Sequence, residues 1–437
     1  MSTKDLDLAN PQSFDGGFPH EYLRRLRRED PVHWNETKFE PERNGRGFWN
    51  ITKYEDVKMI SRSPHIFSSE EGGTNIFDVP AEDMEGLRAL LINMDPPRHV
   101  KYRRLVAHNF TPRQIQKLEG HIRELAREII DDVAERGSCD FINDIAAQLP
   151  MKTIMEIVGV PEEDQKQVFD LSNKLVGFDD PEFGNFEEGR MAAAQVCMYA
   201  NKLREAVAEC PMDNLGSALY HGKVDGESLD PLQYNYFFLL LMIAGNETTR
   251  TMTAHGMRLL MEHPEERQKL IDDPSLIPNA VEEFLRHNPP VMHFRRTLMQ
   301  DFELRGKLMK KGQRLVIWYP SANRDEDVFP DPDRFDVTRK IPEHLGLGTG
   351  EHYCLGASFA RAQLRAIFHE LLTRLPDIEL AGPIRYLHSN FIQGIKEMPV
   401  HYTPVKRVGL SADQTSVEAT SSGGCPMHNA ATGTAHA

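Results

Sequence analysis

The decapeptide Leu347-Gly-Thr-Gly-Glu-His-Tyr-Cys354-Leu-Gly356 runs directly into a helical pattern from Ala357 to Leu375, and no other segment constrains this chain as much. Glycines at 348, 350 and 356 permit positive φ and let backbone lie flush against a flat group that a Cβ would hold away. Leu364, Ile367, Phe368, Leu371, Leu372 and Leu375 recur at three- and four-residue spacing, so Cys354 stands just before an amphipathic helix. Unpaired N–H groups and the positive end of that helix favour thiolate over thiol. This pattern reads as a site for thiolate-ligated haem, because an anionic axial sulfur pushes electron density through iron and promotes O–O cleavage.

The decapeptide resembles the haem-binding signature of the cytochrome P450 superfamily, with Gly350, His352, Cys354 and Gly356 in register. The resemblance implies that Cys354 is the iron ligand and that Leu347, Gly348, His352 and Gly356 shape the cofactor loop. Leu347 departs from the family pattern, which has Phe there. An aromatic ring shields the sulfur, so Leu347→Phe is expected to shift the haem reduction potential without loss of haem; an identical potential in spectroelectrochemical titration removes the idea.

A second segment supports the first. The apolar run Tyr236 to Ile243 leads into Ala244-Gly-Asn-Glu247-Thr248-Thr249, within a helical pattern between Pro231 and Leu259. The run is shorter than the ~20 residues that cross a bilayer, so a buried core helix is expected. An acid followed by two β-branched alcohols is poor helix chemistry, and a Thr hydroxyl bonded to the carbonyl four residues back bends a helix. The segment resembles the family's acid–alcohol motif. The resemblance implies that Glu247 and Thr248 are the catalytic proton-delivery residues, with Ala244 and Gly245 beside the cofactor where oxygen binds.

Glu283 and Arg286 share a helix face at three-residue spacing and can form a charge-assisted pair. The resemblance extends to Pro332-Asp-Arg334-Phe335 and implies a buried structural cluster of Glu283, Arg286 and Arg334. Haem propionates need basic partners if they leave water. His99 and Arg103, four apart after the Pro96-Pro97 start signal, offer two. By resemblance, Arg296 and His352 supply the rest.

A chain of 437 residues with 40% hydrophobic content can bury a large core. No linker or fixed-period repeat interrupts it before about Arg407, so one haem domain is expected over residues 1–407. Its fold is expected to be mainly α with small β-sheets, the P450 fold. Helical periodicity is clear over His121 to Ile130, and strand patterns stand at Phe48 to Thr52 and Arg314 to Trp318. Residues 408–437 are rich in Ser, Ala, Thr and Gly and read as a disordered tail. That tail contains Cys425-Pro-Met-His428, a set of soft or borderline ligands with no assigned role.

The N-terminus lacks a basic patch followed by an apolar stretch, which implies a soluble, cytoplasmic protein without a membrane anchor. Five widely spaced cysteines without a CxxC pair argue against a zinc site or a disulfide framework. A net charge of −15 disfavours nucleic acid and anionic membranes as partners. Local basic clusters remain at Arg98, Lys101, Arg103 and Arg104, and at Arg361 and Arg365. Resemblance to bacterial soluble members implies that an acidic ferredoxin docks there, reduced by a separate flavoprotein that draws electrons from NAD(P)H.

The implied activity is monooxygenation with haem b: two external electrons and a relayed proton activate O2, and an unactivated C–H bond of a lipophilic substrate is hydroxylated. By family position the pocket is lined by Ile76, Phe77, Val291, Met292, Phe294, Phe391 and Ile392, nearly all apolar. The segments around Asn93 and Phe391 are most similar to members that hydroxylate terminal methyl groups of steroid side chains, terpenoids or branched lipids. A non-catalytic haem-thiolate ligand or gas sensor also needs Cys354 and the propionate partners, but has no use for Glu247 and Thr248. A peroxide-driven or isomerising catalyst is distinguished by needing no external electrons.

Overall fold

A computed structural model describes residues 6–177 and 179–409; the Cys425 to His428 segment lies outside the described residues. The helices that position the site are α1 (Met84–Ala89), α2 (Arg98–Ala107), α3 (Pro112–Ala134), α4 (Gln148–Val158), α5 (Glu162–Val176), α6 (Phe186–Glu209), α7 (Pro231–Glu262), α8 (Ile277–His287) and α9 (Ala357–Arg374). The strands that matter here are β1 (Val32–Glu36), β2 (Gly47–Ile51), β3 (Phe67–Ser68), β4 (His293–Leu298) and β5 (Arg314–Trp318). The fold is mainly α with small sheets, as the periodicities imply.

The longest of these helices, α7, starts where Asp230 accepts from the Gln233 N–H and Gln233 reaches back to the Asp230 N–H, a capping box with Pro231 in the first turn. It then runs unbroken for 32 residues through the main core, packing on α4, α6, α8 and α9. Its apolar residues point in nearly every direction because it is surrounded on most sides. Most of the apolar side chains of α3 and α9 join the same cluster, so the helix that follows Cys354 is anchored against both α3 and α7.

A five-stranded sheet in the order β1-β2-β5-β4-β3 forms the other layer. Three of the four strand pairings are antiparallel, while β2 and β5 pair parallel, with Trp49 opposite Leu315 and Ile51 opposite Ile317. Every residue of β5 is buried, which explains its continuous β-branched and aromatic run.

His293 in β4 is fully buried with neither ring nitrogen hydrogen-bonded; its ring lies 5.0 Å from Trp318 and 5.4 Å from Phe391. Burial pushes its pKa down to about 3. The unfolded chain therefore binds the proton first, and stability is lost as pH falls from about 6.5 towards 3, by about 2 kcal/mol at pH 5. His293→Phe removes an unpaired polar ring from an aromatic niche. It is expected to stabilise by about 1 kcal/mol at pH 7, with the gap over wild type widening as pH falls to 5; urea melts at the two pH values check this.

Candidate haem and substrate site

The Cys354 loop is closed by its own backbone. The Cys354 N–H donates to Leu347 O at 2.8 Å, and the Gly348 N–H to Leu345 O at 2.9 Å. Gly348 and Gly350 both have φ of 71°, where a side chain is strained. Gly356 departs from expectation: its φ is −85°, so no unusual backbone calls for glycine. No protein atom lies within 4 Å of where its Cβ would stand, and its N–H donates to Cys354. Burial pushes the Cys354 thiol up, against that N–H and the charges of Arg103 and Arg361. The Gly356 N–H and the two cations favour the charged sulfur, and a metal coordinated there would take its proton off outright.

Four basic side chains from three parts of the chain converge beside this loop. The His99 ring on α2 lies 4.2 Å from the His352 ring, and Arg103 and Arg296 both bear on His352 electrostatically. Burial and Arg103 hold His99 at about 4, so it is neutral at working pH, and its buried Nδ1 has no partner. Asp95, which acts on both His99 and Arg296, already accepts from Ser68 Oγ and the Ser69 N–H. Arg103 Nη2 donates to Tyr353 O at 2.6 Å and so also braces the loop. Two guanidinium groups and two imidazoles with one committed acid suit a buried pair of carboxylates. The residues present thus fit haem at both the sulfur and the propionates.

On α7, Thr248 Oγ1 donates to Ala244 O at 2.7 Å, the back-bond anticipated from sequence, although the helix continues unbroken. Ala244 is exposed and Tyr236, Leu240 and Thr248 are part-exposed, in a helix otherwise largely buried. Their four-residue spacing marks one uncovered face. Tyr236 and Leu240 were not identified from sequence, and stepping back from Thr248 and Ala244 by four finds them. Gly245 is part-exposed beside Ala244, and the direction a side chain would take there is filled. Its Cβ would stand 2.7 Å from Ile154 Cγ1, so glycine there lets α4 approach α7. Glu247 leaves the Thr248 face: it is buried, paired with Arg250, and accepts from Thr251 Oγ1 at 3.2 Å. Arg250 in turn donates to Asn173 Oδ1 on α5 at 3.0 Å.

Glu283 and Arg286 form a fully buried bidentate pair, both bonds 2.7 Å. The second arginine of the cluster is Arg339, whose Nε donates to Glu283 Oε1 at 3.2 Å. Arg334 was expected there, but its side chain is 63% exposed and only its carbonyl is used, by Arg286 and Arg339. The chain turns between the two positions, carrying Arg334 outward and Arg339 in. From Arg286 the support passes to Asn323 O, and Asn323 Oδ1 accepts from the Leu345 N–H at 2.7 Å. Leu345 is the residue that anchors Gly348.

The seven expected pocket residues divide. Val291, Phe294 and Phe391 are part-exposed, with the two phenylalanine rings 5.8 Å apart, and Phe77 lies 6.2 Å from the Phe186 ring. Ile76 and Met292 instead pack with Phe14, Phe18 and Trp318 in a separate core cluster, and Ile392 is buried, bridged to Val291. The loop that carries Ile76 is fixed this way because Arg314 donates to Ile76 O at 2.9 Å and Arg295 pairs with Asp78 at 2.6 Å. Cys139, Cys197 and Cys354 are free thiols.

Residues 151–376 match the model of the family described as cytochrome P450. The steroid C26-monooxygenase of Rhodococcus jostii is 37% identical over 97% of this chain and 87% of its own length. The linalool 8-monooxygenase of Pseudomonas putida is 35% identical over 91% of this chain and 99% of its own. The solved structure of a Mycobacterium marinum cytochrome P450 in complex with pseudoionone superposes with a TM-score of 0.83 at 38% identity, covering 88% of this chain and 94% of that one. With the thiolate loop, the propionate partners and these relatives together, the chain belongs to the cytochrome P450 family and is a haem b monooxygenase that hydroxylates a lipophilic substrate.

Proposed function

We propose that the substrate is a steroid with an aliphatic side chain and that a terminal methyl of that chain is hydroxylated. The observation that carries this reading is the part-exposed set Val291, Phe294 and Phe391, hydrocarbon and aromatic throughout, in a chain so similar to a steroid C26-monooxygenase. Such a lining orients a lipid by shape and excludes water. When bound, haem supplies oxygen activation at an iron carrying an anionic sulfur. Cys354 holds that iron, and His99, Arg103, Arg296 and His352 hold the propionates. Ala244 leaves room on the uncovered face of α7. Thr248 presents its hydroxyl there and holds a proton at Oγ1, while Glu247, released from Arg250, brings protons from the α5 side. Thr248→Ala is expected to leave haem and ligand binding intact while most electrons go to peroxide instead of product; unchanged coupling in NADH-to-product ratios counts against the role.

Electrons reach the haem from NAD(P)H through a ferredoxin-type protein with a separate reductase, in the cytoplasm. Four of the six basic residues expected to receive it are in ion pairs: Arg98 with Glu70, Lys101 with Asp225, Arg361 with Glu282 and Arg365 with Glu119. With Arg103 held by the propionates and Tyr353 O, the exposed Arg104 then carries most of the attraction. Among the described residues no helix is long and apolar enough to cross a membrane. The haem domain spans 1–407, and 408–437 takes no part in the chemistry. The sensor reading is not favoured, since the relatives are named for oxidations. The deciding test is a Soret titration of ferric protein with steroids, terpenoids and branched fatty acids. A shift from low to high spin with the steroids supports the reading, and a shift confined to another class overturns it.

A further inference from the structure

The uncovered face of α7 does not end at Leu240. Tyr236 continues it, eight residues before Ala244 and so about 12 Å along the helix axis. Its ring lies against the backbone of α1: a Cβ on Gly86 would stand 2.0 Å from the phenol oxygen and 2.3 Å from the ring carbon that bears it. Only glycine allows that approach. The hydroxyl is not hydrogen-bonded to any group among the described residues. Four polar neighbours influence it: the Cys197 thiol and Glu85, neither hydrogen-bonded to it, and Asp83 and Arg190, which are bonded to each other at 2.9 Å. Burial raises the phenol, so it remains a hydrogen-bond donor at working pH.

A half-buried phenol with no protein partner, on the same helix face as the oxygen-side residues, is placed for a ligand. We propose that Tyr236 is a specificity-determining residue whose hydroxyl donates to a ketone or hydroxyl oxygen at the end of the substrate remote from the oxidised methyl. This rests on the steroid reading above and sharpens it. A steroid with its side chain spans the distance from Tyr236 to Ala244, and a short terpenoid does not. Apolar contacts at Leu240, Phe294 and Phe391 hold a lipid equally well in either direction. One hydrogen bond at the far end decides which end meets the iron.

The experiment compares two ligands on the ferric holoprotein: a 3-oxo steroid with an intact aliphatic side chain, and the same steroid without the 3-oxygen. Spin-state titrations give a Kd for each with wild type, Tyr236→Phe and Gly86→Ala. Wild type is expected to prefer the ketone about fivefold, the worth of one neutral hydrogen bond. Tyr236→Phe is expected to bind both equally while its haem content and its Kd for the deoxygenated steroid stay as in wild type. Gly86→Ala, which pushes the phenol aside, is expected to lose the same preference. A preference that survives in Tyr236→Phe overturns the proposal, as does a wild type that binds both steroids equally. A wild type whose spin state neither steroid moves, but a terpenoid or fatty acid does, overturns the steroid reading itself.

Discussion

Arg286→Ala is expected to give a protein that binds no haem and is largely insoluble. The guanidinium is fully buried and makes two bonds to Glu283, one each to Asn323 O and Pro332 O, and a longer one to Arg334 O. Removing it leaves the fully buried Glu283 carboxylate with only Arg339 and the Asp336 N–H, and takes the guanidinium donor from Asn323 O and Pro332 O. Breaking a buried pair from one side costs about 3–5 kcal/mol, against a total stability of about 5–15 kcal/mol. The double variant Glu283→Leu with Arg286→Met is expected to recover part of the soluble yield, because it removes both charges together. Soluble yield and the carbonyl difference spectrum measure both effects. A haem-replete Arg286→Ala protein disproves the chain of support from α8 through Asn323 to the cofactor loop.

The second large effect is Gly346→Ala, which should spare the fold and spoil the site. A Cβ there would stand 3.1 Å from the Leu285 carbonyl carbon and 2.3 Å from its oxygen, the latter closer than real contacts come. The obstacle is the backbone of α8, which cannot swing aside as a side-chain tip does. The loop must move instead, and Cys354 is tied to Leu347 within it. Because Gly346 lies before the loop and not within the helical core, the helices should survive. The expected result is near-native far-ultraviolet circular dichroism with haem content reduced by more than half. Full haem occupancy with an unshifted Soret band refutes it.

What could be read in advance follows from which physics is local. The Cys354 loop and α9 were legible because glycine spacing and apolar periodicity are properties of adjacent residues. The boundaries of β5 were legible for the same reason, its five residues being apolar or aromatic after an initial arginine. That His99 and Arg103 stand together was legible because they share a helix face. Arg339 was missed because its burial depends on how the chain turns after Phe335, and nothing nearby separates it from the exposed Arg334. Ile76 and Met292 were misplaced because an apolar side chain serves a pocket or a core equally well. Only the position of Arg314 and Arg295, far along the chain, turned that loop away from the pocket. The close approach of α4 at Gly245 was not legible for the same reason, since Ile154 is ninety-one positions away.

The parallel pairing of β2 with β5 has a consequence for how the protein is made. Residues 47–51 leave the ribosome first, and their partner at 314–318 follows more than 260 residues later. At about 5–20 residues per second, the first hairpin waits on the order of tens of seconds with one edge unpaired. Cys354 emerges later still. Haem is therefore captured only after Cys354 has emerged, and a cell short of haem at that moment is left holding a chain whose cofactor loop has nothing to fold around. Co-expression yields should respond to haem precursor supplied during late synthesis and to chaperones that shield the early hairpin, far more than to stronger transcription.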